Sequence, residues 1–294
     1  MNLREYLAAQ VKLVDATLDR WVPTESAAPS TIHKAMRYSL FAGGKRIRPI
    51  LCLEAARACA EQNEGIENAA CTLELIHTYS LIHDDLPALD NDDLRRGRPT
   101  CHKVFGEAMA ILAGDSLLTL AFQVLSQLPH ATPAAKVRLI EELSTASGTV
   151  RGMIGGQVED LEAGGQAPSV TVLDSIHRAK TGALLRASLR MGALYVNAAE
   201  TELAALSRYG EHVGLAFQIV DDILDVEQPS EALGKTAGKD AEQNKMTFPA
   251  VYGLETSRQM AEEERQQARA ALEMFGPTAE RLRELADMIV ERKA

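Results

Sequence analysis

Five aspartates lie within residues 83–97, HDDLPALDNDDLRRG, and Arg95 and Arg96 follow directly behind them. The run comes after an apolar, helix-like segment, CTLELIHTYSLI at 71–82. Carboxylates packed together repel one another unless something positive sits between them. A second cluster, FQIVDDILDVEQ at 217–228, sets Asp221 and Asp225 four residues apart, on one face of a helix. Gln218 shares that face, and Gly214 joins it one turn earlier. Ile219, Val220, Ile223 and Leu224 surround the acids with apolar side chains. Like charges at this spacing destabilise an isolated helix by a few tenths of a kcal/mol, so a cation is the natural compensation. A solvated acidic loop explains either cluster alone. It explains two clusters with apolar flanks, one backed by arginines, much less well.

The donor types select the cation. Carboxylates without thiolates or paired histidines favour hard ions, and Mg2+ takes one or two carboxylates plus waters and phosphate oxygens. An EF-hand is the rival, but DNDDLRRG lacks its glycine and its third ligand. In the first cluster Asp84 and Asp85 end the apolar helix, and Asp90 comes six residues after Asp84. An ideal helix puts that pair about 240° apart. Asp90 therefore needs a local excursion of the chain, and Pro87 supplies a reason for one. His77 lies two turns below Asp84 on the same face.

Three basic motifs complement the acids. GGKRIRP (43–49) carries Lys45, Arg46 and Arg48 at a helix start, where guanidiniums and free N–H groups suit phosphate oxygens. RAKTGALL (178–185) sets Lys180 and Thr181 beside Gly182, where a helix can kink. GKTAGKDAEQNK (234–245) offers Lys235, Lys239 and Lys245 in a loop. Each alone reads as a charged surface loop; together they point to a phosphate-rich anion with a metal ion between it and the aspartates.

The elements that must hold these groups are helices. Apolar periodicity of the helical kind dominates, and alternating strand patterns are hard to find. The spacing predicts helices near 3–21, 30–42, 49–62, 66–84, 101–128, 134–154, 171–194, 199–225, 244–252, 256–274 and 277–292, within one all-α domain over 1–294. Gly148, Gly152 and Gly156 either form a small-residue face on one helix or are turn glycines. The net charge of −10 and the absence of basic blocks with interleaved aromatics argue against nucleic acid as partner. Hydrophobic residues make up 46% and aromatics 4%, so the core is built of Leu, Ala, Ile and Val. Cys52, Cys59, Cys71 and Cys101 form no C-x-x-C pair and read as reduced cytosolic thiols. The N-terminus reads as an amphipathic helix rather than a signal peptide, and the uncharged stretch 116–135 as a core helix and loop rather than a membrane span.

Taken in order, GGKRIRP, HDDLPALD with DDLRRG, KTG, FQIVDDILD and GKDAEQNK-TFP resemble the motifs of the trans-prenyltransferases, the short-chain isoprenyl diphosphate synthases. They run from residue 43 to 249. The D-D-x4-D spacing of the first resembles the bacterial farnesyl diphosphate synthase type. The resemblance implies antiparallel helices around a deep central cavity, and a head-to-tail condensation of an allylic diphosphate with isopentenyl diphosphate. It implies two or three Mg2+ ions held by Asp84 and Asp90, with Asp85 assisting, and by Asp221 and Asp225 from a facing wall, with Asp222 oriented by its neighbours. Arg95, Lys180, Lys235 and Lys245 would hold the allylic diphosphate. Thr181 and Gln218 would line the reacting carbons. Lys45, Arg48, His77 and Arg96 would hold isopentenyl diphosphate. Arg46, His83 and His102 receive no role.

In such enzymes the residues just upstream of the first aspartate motif set product length; here they are Tyr79 and Ser80. An aromatic stop there implies a fifteen-carbon product, with ten- and twenty-carbon products as alternatives. A noncatalytic subunit would lack an intact aspartate motif, and a terpene cyclase would have no use for GGKRIRP. The resemblance also implies a cytoplasmic homodimer without a membrane span.

Overall fold

The computed structural model describes residues 1–167, 169–227 and 246–292. The fold is all-α; apart from helices it holds only a two-residue pair of strands, β1 (Leu94–Arg95) and β2 (Arg98–Pro99), among the described residues. The chain divides into two compact units, Met1–Ile50 with Glu64–Ile140, and Leu51–Asn63 with Glu141–Ala294.

The first unit contains α1 (Leu3–Trp21), α2 (Ser30–Leu40), the first turn of α3 (Ile47–Cys59), α4 (Ile66–Asp84), α5 (Cys101–Phe105), α6 (Glu107–Ser126) and the first half of α7 (Pro133–Ser147). A reciprocal capping box between Asn2 and Glu5 starts α1, satisfying two of the N–H groups a helix start leaves open. α4 is buried on nearly all sides, so its apolar residues show almost no one-sided pattern. His83 presses over Gly114 of α6, where a Cβ would stand 2.1 Å from its Nε2; that nitrogen lies 3.0 Å from the Ile111 carbonyl. α6 is long and apolar enough to cross a membrane by length and composition, and 44% of that stretch is buried inside the protein.

Arg46 is the anchor of this unit. It is 2% exposed and donates to Asp15 (2.9 Å), Glu74 (2.6 Å) and the Leu40 carbonyl (2.7 Å). Glu74 is equally hidden, at 2%. Removing one partner of such a pair strands a buried charge, at about 3–5 kcal/mol. Arg46→Met should therefore lower the urea-unfolding free energy by about that much, and Arg46→Met with Glu74→Met should recover most of the loss. Equal stability of wild type and single variant would show the pair to be idle.

The second unit is wound around α11 (Glu200–Glu227). Against it lie α10 (Ala183–Tyr195), α12 (Phe248–Tyr252), α13 (Leu254–Ala271) and α14 (Glu280–Glu291). Tyr209 is fully buried in α11, and its hydroxyl donates to the Leu282 carbonyl at 2.6 Å. Leu173, Ile176, Leu215, Ile219, Ile223 and Phe248 form the core around the acidic end of the helix. Each such side chain contributes about 1.5–3 kcal/mol by burial.

Two expected helices are each broken. The segment 101–128 divides at Gly106 (φ 85), and 134–154 stops at Ser147, with α8 (Met153–Ala163) starting afresh. The three glycines therefore do not share one helix. Gly156 nonetheless admits a close neighbour: a Cβ there would stand 2.2 Å from the Lys180 nitrogen. α9 (Val170–His177) runs into a π turn, Arg178–Gly182, and then into α10, so the kink expected at KTG is a wider helical turn. The four cysteines are free thiols, three of them buried.

Candidate active site

The excursion that Asp90 needs is present. Beyond α4 the chain curls back, so that the Asp90 N–H donates to the Asp84 carbonyl (2.8 Å) and the Asp92 N–H to the Asp85 carbonyl (3.1 Å). Burial pushes the Asp85 carboxyl up to about 6, against the pull of Arg95 and with a further push from Asp92 and Asp90. Arg95 answers with Nε at 2.7 Å and Nη2 at 2.6 Å from Asp85 Oδ1, and lies 3.5 Å from Asp92. The acids crowd as the sequence implies, and the first positive group among them is the protein's own arginine.

The β1–β2 hairpin carries Arg95 and Arg96, and Tyr38 of α2 fixes it by donating its hydroxyl to the Pro99 carbonyl at 2.7 Å. Arg96 lies across Gly44, where a Cβ would meet its guanidinium at 2.8 Å; with φ 139 as well, that position needs glycine. GGKRIRP and RRG are thus brought together. His77 stands among the same charges: burial lowers its pKa well below the usual value, and Arg48, Arg96, Arg95 and Arg46 lower it further. Lys45 is exposed, Arg48 half-buried. His83 and His102 hold structure: His102 is buried with its Nδ1 3.1 Å from the Thr100 hydroxyl.

The second unit carries the other candidate residues. Lys180 and Thr181 sit in the π turn, a departure from α geometry that is frequent at functional sites. Gly214 of α11 lets the turn press close, since a Cβ there would lie 3.0 Å from the Gly182 Cα. Thr181 donates its hydroxyl to Gln218 Oε1 (2.9 Å), and Gln218 Nε2 donates to Asp222 Oδ1 (2.7 Å). Asp222 Oδ2 accepts the Phe248 N–H at 2.9 Å. Asp222 is 3% exposed and Asp225 6%. The expectation that Asp222 is oriented by its neighbours matches this network.

Three partners were not legible in the sequence. Lys180 pairs with Asp160 at 2.7 Å. Asp221 pairs with Arg292 at 2.5 Å, and that arginine also lies over the Phe217 ring. His177 stacks on Phe248 beside Asp222. Lys235 and Lys245 lie outside the described residues.

Burial lowers the His177 pKa to about 4, with Lys180 opposing Asp160 and Asp174. An unfolded histidine titrates near 6.5, so this group stabilises the fold fully above that pH and loses its contribution as pH falls toward 4. The contribution is about 3 kcal/mol. Urea unfolding at about pH 7 and about pH 4.5 should show a smaller acid loss in His177→Phe than in wild type; equal losses would contradict the burial.

The donors around these sites are carboxylate oxygens, which suit a hard divalent ion that also takes phosphate oxygens. Among the described residues no group of three or more His, Cys, Asp or Glu is preformed to hold a metal. Asp85 and Asp221 each face an arginine instead. A site of one or two carboxylates completed by a phosphorylated ligand fits this arrangement.

Helices carrying two aspartate clusters, each with its own cationic partners, define an enzyme of diphosphate chemistry, and comparison with known proteins agrees. The chain belongs to the polyprenyl synthetase family, whose pattern it matches over residues 29–289. It is 46% identical over 294 residues to a geranylgeranyl pyrophosphate synthase of Capsicum annuum chloroplasts, covering 99% of this chain and 79% of the relative. It is 48% identical over 256 residues to a farnesyl diphosphate synthase of Geobacillus stearothermophilus, covering 86% of each. Its structure resembles that of a geranyltransferase from Helicobacter pylori complexed with magnesium and isoprenyl diphosphate, with a TM-score of 0.81 at 32% identity over 95% of this chain and 96% of that one. The fold is therefore that of the isoprenoid synthases, and the protein is a prenyltransferase, a short-chain trans-prenyl diphosphate synthase.

Proposed function

We propose that the protein is a farnesyl diphosphate synthase, joining dimethylallyl or geranyl diphosphate head to tail with isopentenyl diphosphate. The observation that carries the chain length is Tyr79. It is 5% exposed, five residues before Asp84 on α4, and its hydroxyl oxygen has no hydrogen-bond partner. Such a ring serves as a wall for hydrocarbon rather than as a polar contact. Ser80 beside it spends its hydroxyl on the His77 carbonyl at 2.9 Å.

In this reading Asp84 and Asp90, with Asp85, and Asp221 with Asp225 hold Mg2+ ions. Bound Mg2+ neutralises charge on the departing diphosphate as a Lewis acid. Arg95 and Lys180, with Lys235 and Lys245, hold the allylic diphosphate. Lys45, Arg48, His77 and Arg96 hold isopentenyl diphosphate; the Arg96 guanidinium against Gly44 and the charges of Arg48 and Arg96 near His77 support that role. Thr181 and Gln218 face the allylic carbon as it becomes cationic. The released diphosphate takes the final proton, which leaves no need for a side-chain base. The single helical domain acts as a homodimer in the cytoplasm.

A twenty-carbon product is the second reading, favoured by the similarity to the Capsicum protein. Chromatography of the dephosphorylated products decides between them. Farnesol as the main product supports the proposal, and geranylgeraniol as the main product overturns it.

A further inference from the structure

The chain of hydrogen bonds through Thr181, Gln218 and Asp222 has a direction. The Phe248 main-chain N–H can only donate, so Asp222 Oδ2 is an acceptor, at 2.9 Å. Asp222 Oδ1 accepts from the Gln218 amide nitrogen at 2.7 Å, which turns the Gln218 oxygen toward Thr181. That oxygen accepts the Thr181 hydroxyl at 2.9 Å. A hydroxyl has one proton, and this one is committed. What Thr181 then presents outward is lone pairs, which suit a carbon turning positive. The order holds only while Asp222 stays an acceptor at both oxygens.

One further group aims at Asp222. His177 Nε2 stands 3.6 Å from Oδ2, beyond hydrogen-bond distance, and has no other hydrogen-bond partner. The residue is 6% exposed, and its ring stacks on Phe248 with centroids 5.1 Å apart and 21° between planes. A buried polar atom left unbonded costs about 1–3 kcal/mol, so its retention asks for a function. His177 is also the last residue of α9, immediately before the π turn that carries Lys180 and Thr181.

We propose that His177 is a positioning residue whose Nε2–H donates to Asp222 Oδ2 when the diphosphate site is filled, locking the Asp222–Gln218–Thr181 chain in the direction that offers Thr181 lone pairs to the reacting carbon. Closing the gap takes a movement of about 0.7 Å, a small slide of the imidazole over Phe248. Burial keeps the imidazole neutral at neutral pH, so it has a single N–H to give. The catalytic part of this role rests on the prenyl-transfer reading above.

His177→Phe keeps a ring on Phe248 and removes the donor; His177→Gln restores an N–H near the Nε2 position. His177→Phe should lower kcat by about tenfold to a hundredfold while KM for both diphosphates moves by less than about twofold. His177→Gln should recover kcat to within about threefold of wild type. Unchanged kcat in His177→Phe, or no recovery in a folded His177→Gln, overturns the proposal. A second measurement needs no turnover and no variant. In 15N spectra of the wild-type protein with magnesium and inorganic diphosphate, His177 should be protonated at Nε2, and the Gln218 side-chain amide protons should exchange more slowly than without the additions. A proton on Nδ1, or unaltered Gln218 exchange, also overturns it. If the wild type fails to condense the two substrates, the prenyl-transfer reading falls and takes the catalytic role with it, while the tautomer still decides the His177–Asp222 bond.

Discussion

Asp84→Ala and Asp221→Ala should each lower kcat by about a hundredfold to a thousandfold without a comparable loss of stability. The diphosphate can leave only if its negative charge is neutralised, and a unit charge pair about 4 Å apart gains roughly 4 kcal/mol at an effective dielectric of about 20. On the proposed reading, removing a carboxylate that holds Mg2+ removes a share of that stabilisation in the transition state. Stability should change little with Asp221→Ala, because the Asp221 side chain is 43% exposed and Arg292, though only 12% exposed, keeps the Phe217 carbonyl at 2.8 Å and the Phe217 ring. Asp84 is half-buried at the end of α4. Asp85→Ala makes the contrast: its carboxylate is buried against Arg95, so stability and turnover should fall together. Steady-state kinetics at saturating magnesium, beside thermal melting, provide the check. Turnover within tenfold of wild type in both Asp84→Ala and Asp221→Ala would remove the metal role from these clusters.

On the farnesyl reading, Tyr79→Ala should shift the main product from fifteen carbons to twenty or more. The buried ring meets the His83 imidazole edge-on at 5.8 Å between centroids. Its removal leaves room that a lengthening isoprenoid chain can enter. Tyr79→Phe is the control: the hydroxyl has no hydrogen-bond partner, so losing it should leave product length unchanged. Truncating a buried aromatic also costs about 3–5 kcal/mol, and product analysis therefore belongs at low temperature. A sole fifteen-carbon product from Tyr79→Ala would show that the tyrosine is not the stop.

What could be read in advance followed local rules. α1 and α4 begin and end where apolar spacing puts them, at Leu3–Trp21 and Ile66–Asp84. The return of Asp90 toward Asp84 followed from helix geometry and one proline. The breaks at Gly106 and Ser147 did not, because apolar periodicity runs on through both while backbone conformation stops the helix. The ion-pair partners of the second unit were beyond local reasoning. Arg292 meets Asp221 across 71 positions of chain, and Asp160 meets Lys180 across 20. Arg46 lies in a motif that suits phosphate, yet it is spent on Asp15 and Glu74 inside the first unit. Only tertiary packing separates an arginine that anchors from one that binds.

The π turn at Arg178–Gly182 has a consequence for how this segment tolerates change in length. It accommodates one residue more than a regular helix would over the same rise. Deleting one position there would return the segment to regular α geometry, with α9 and α10 continuous and α10 keeping its stripe toward α11. Lys180 and Thr181 would lose the wider turn that sets their present bearing. A one-residue deletion should thus spare the packing of the two helices and cost the placement of those two side chains.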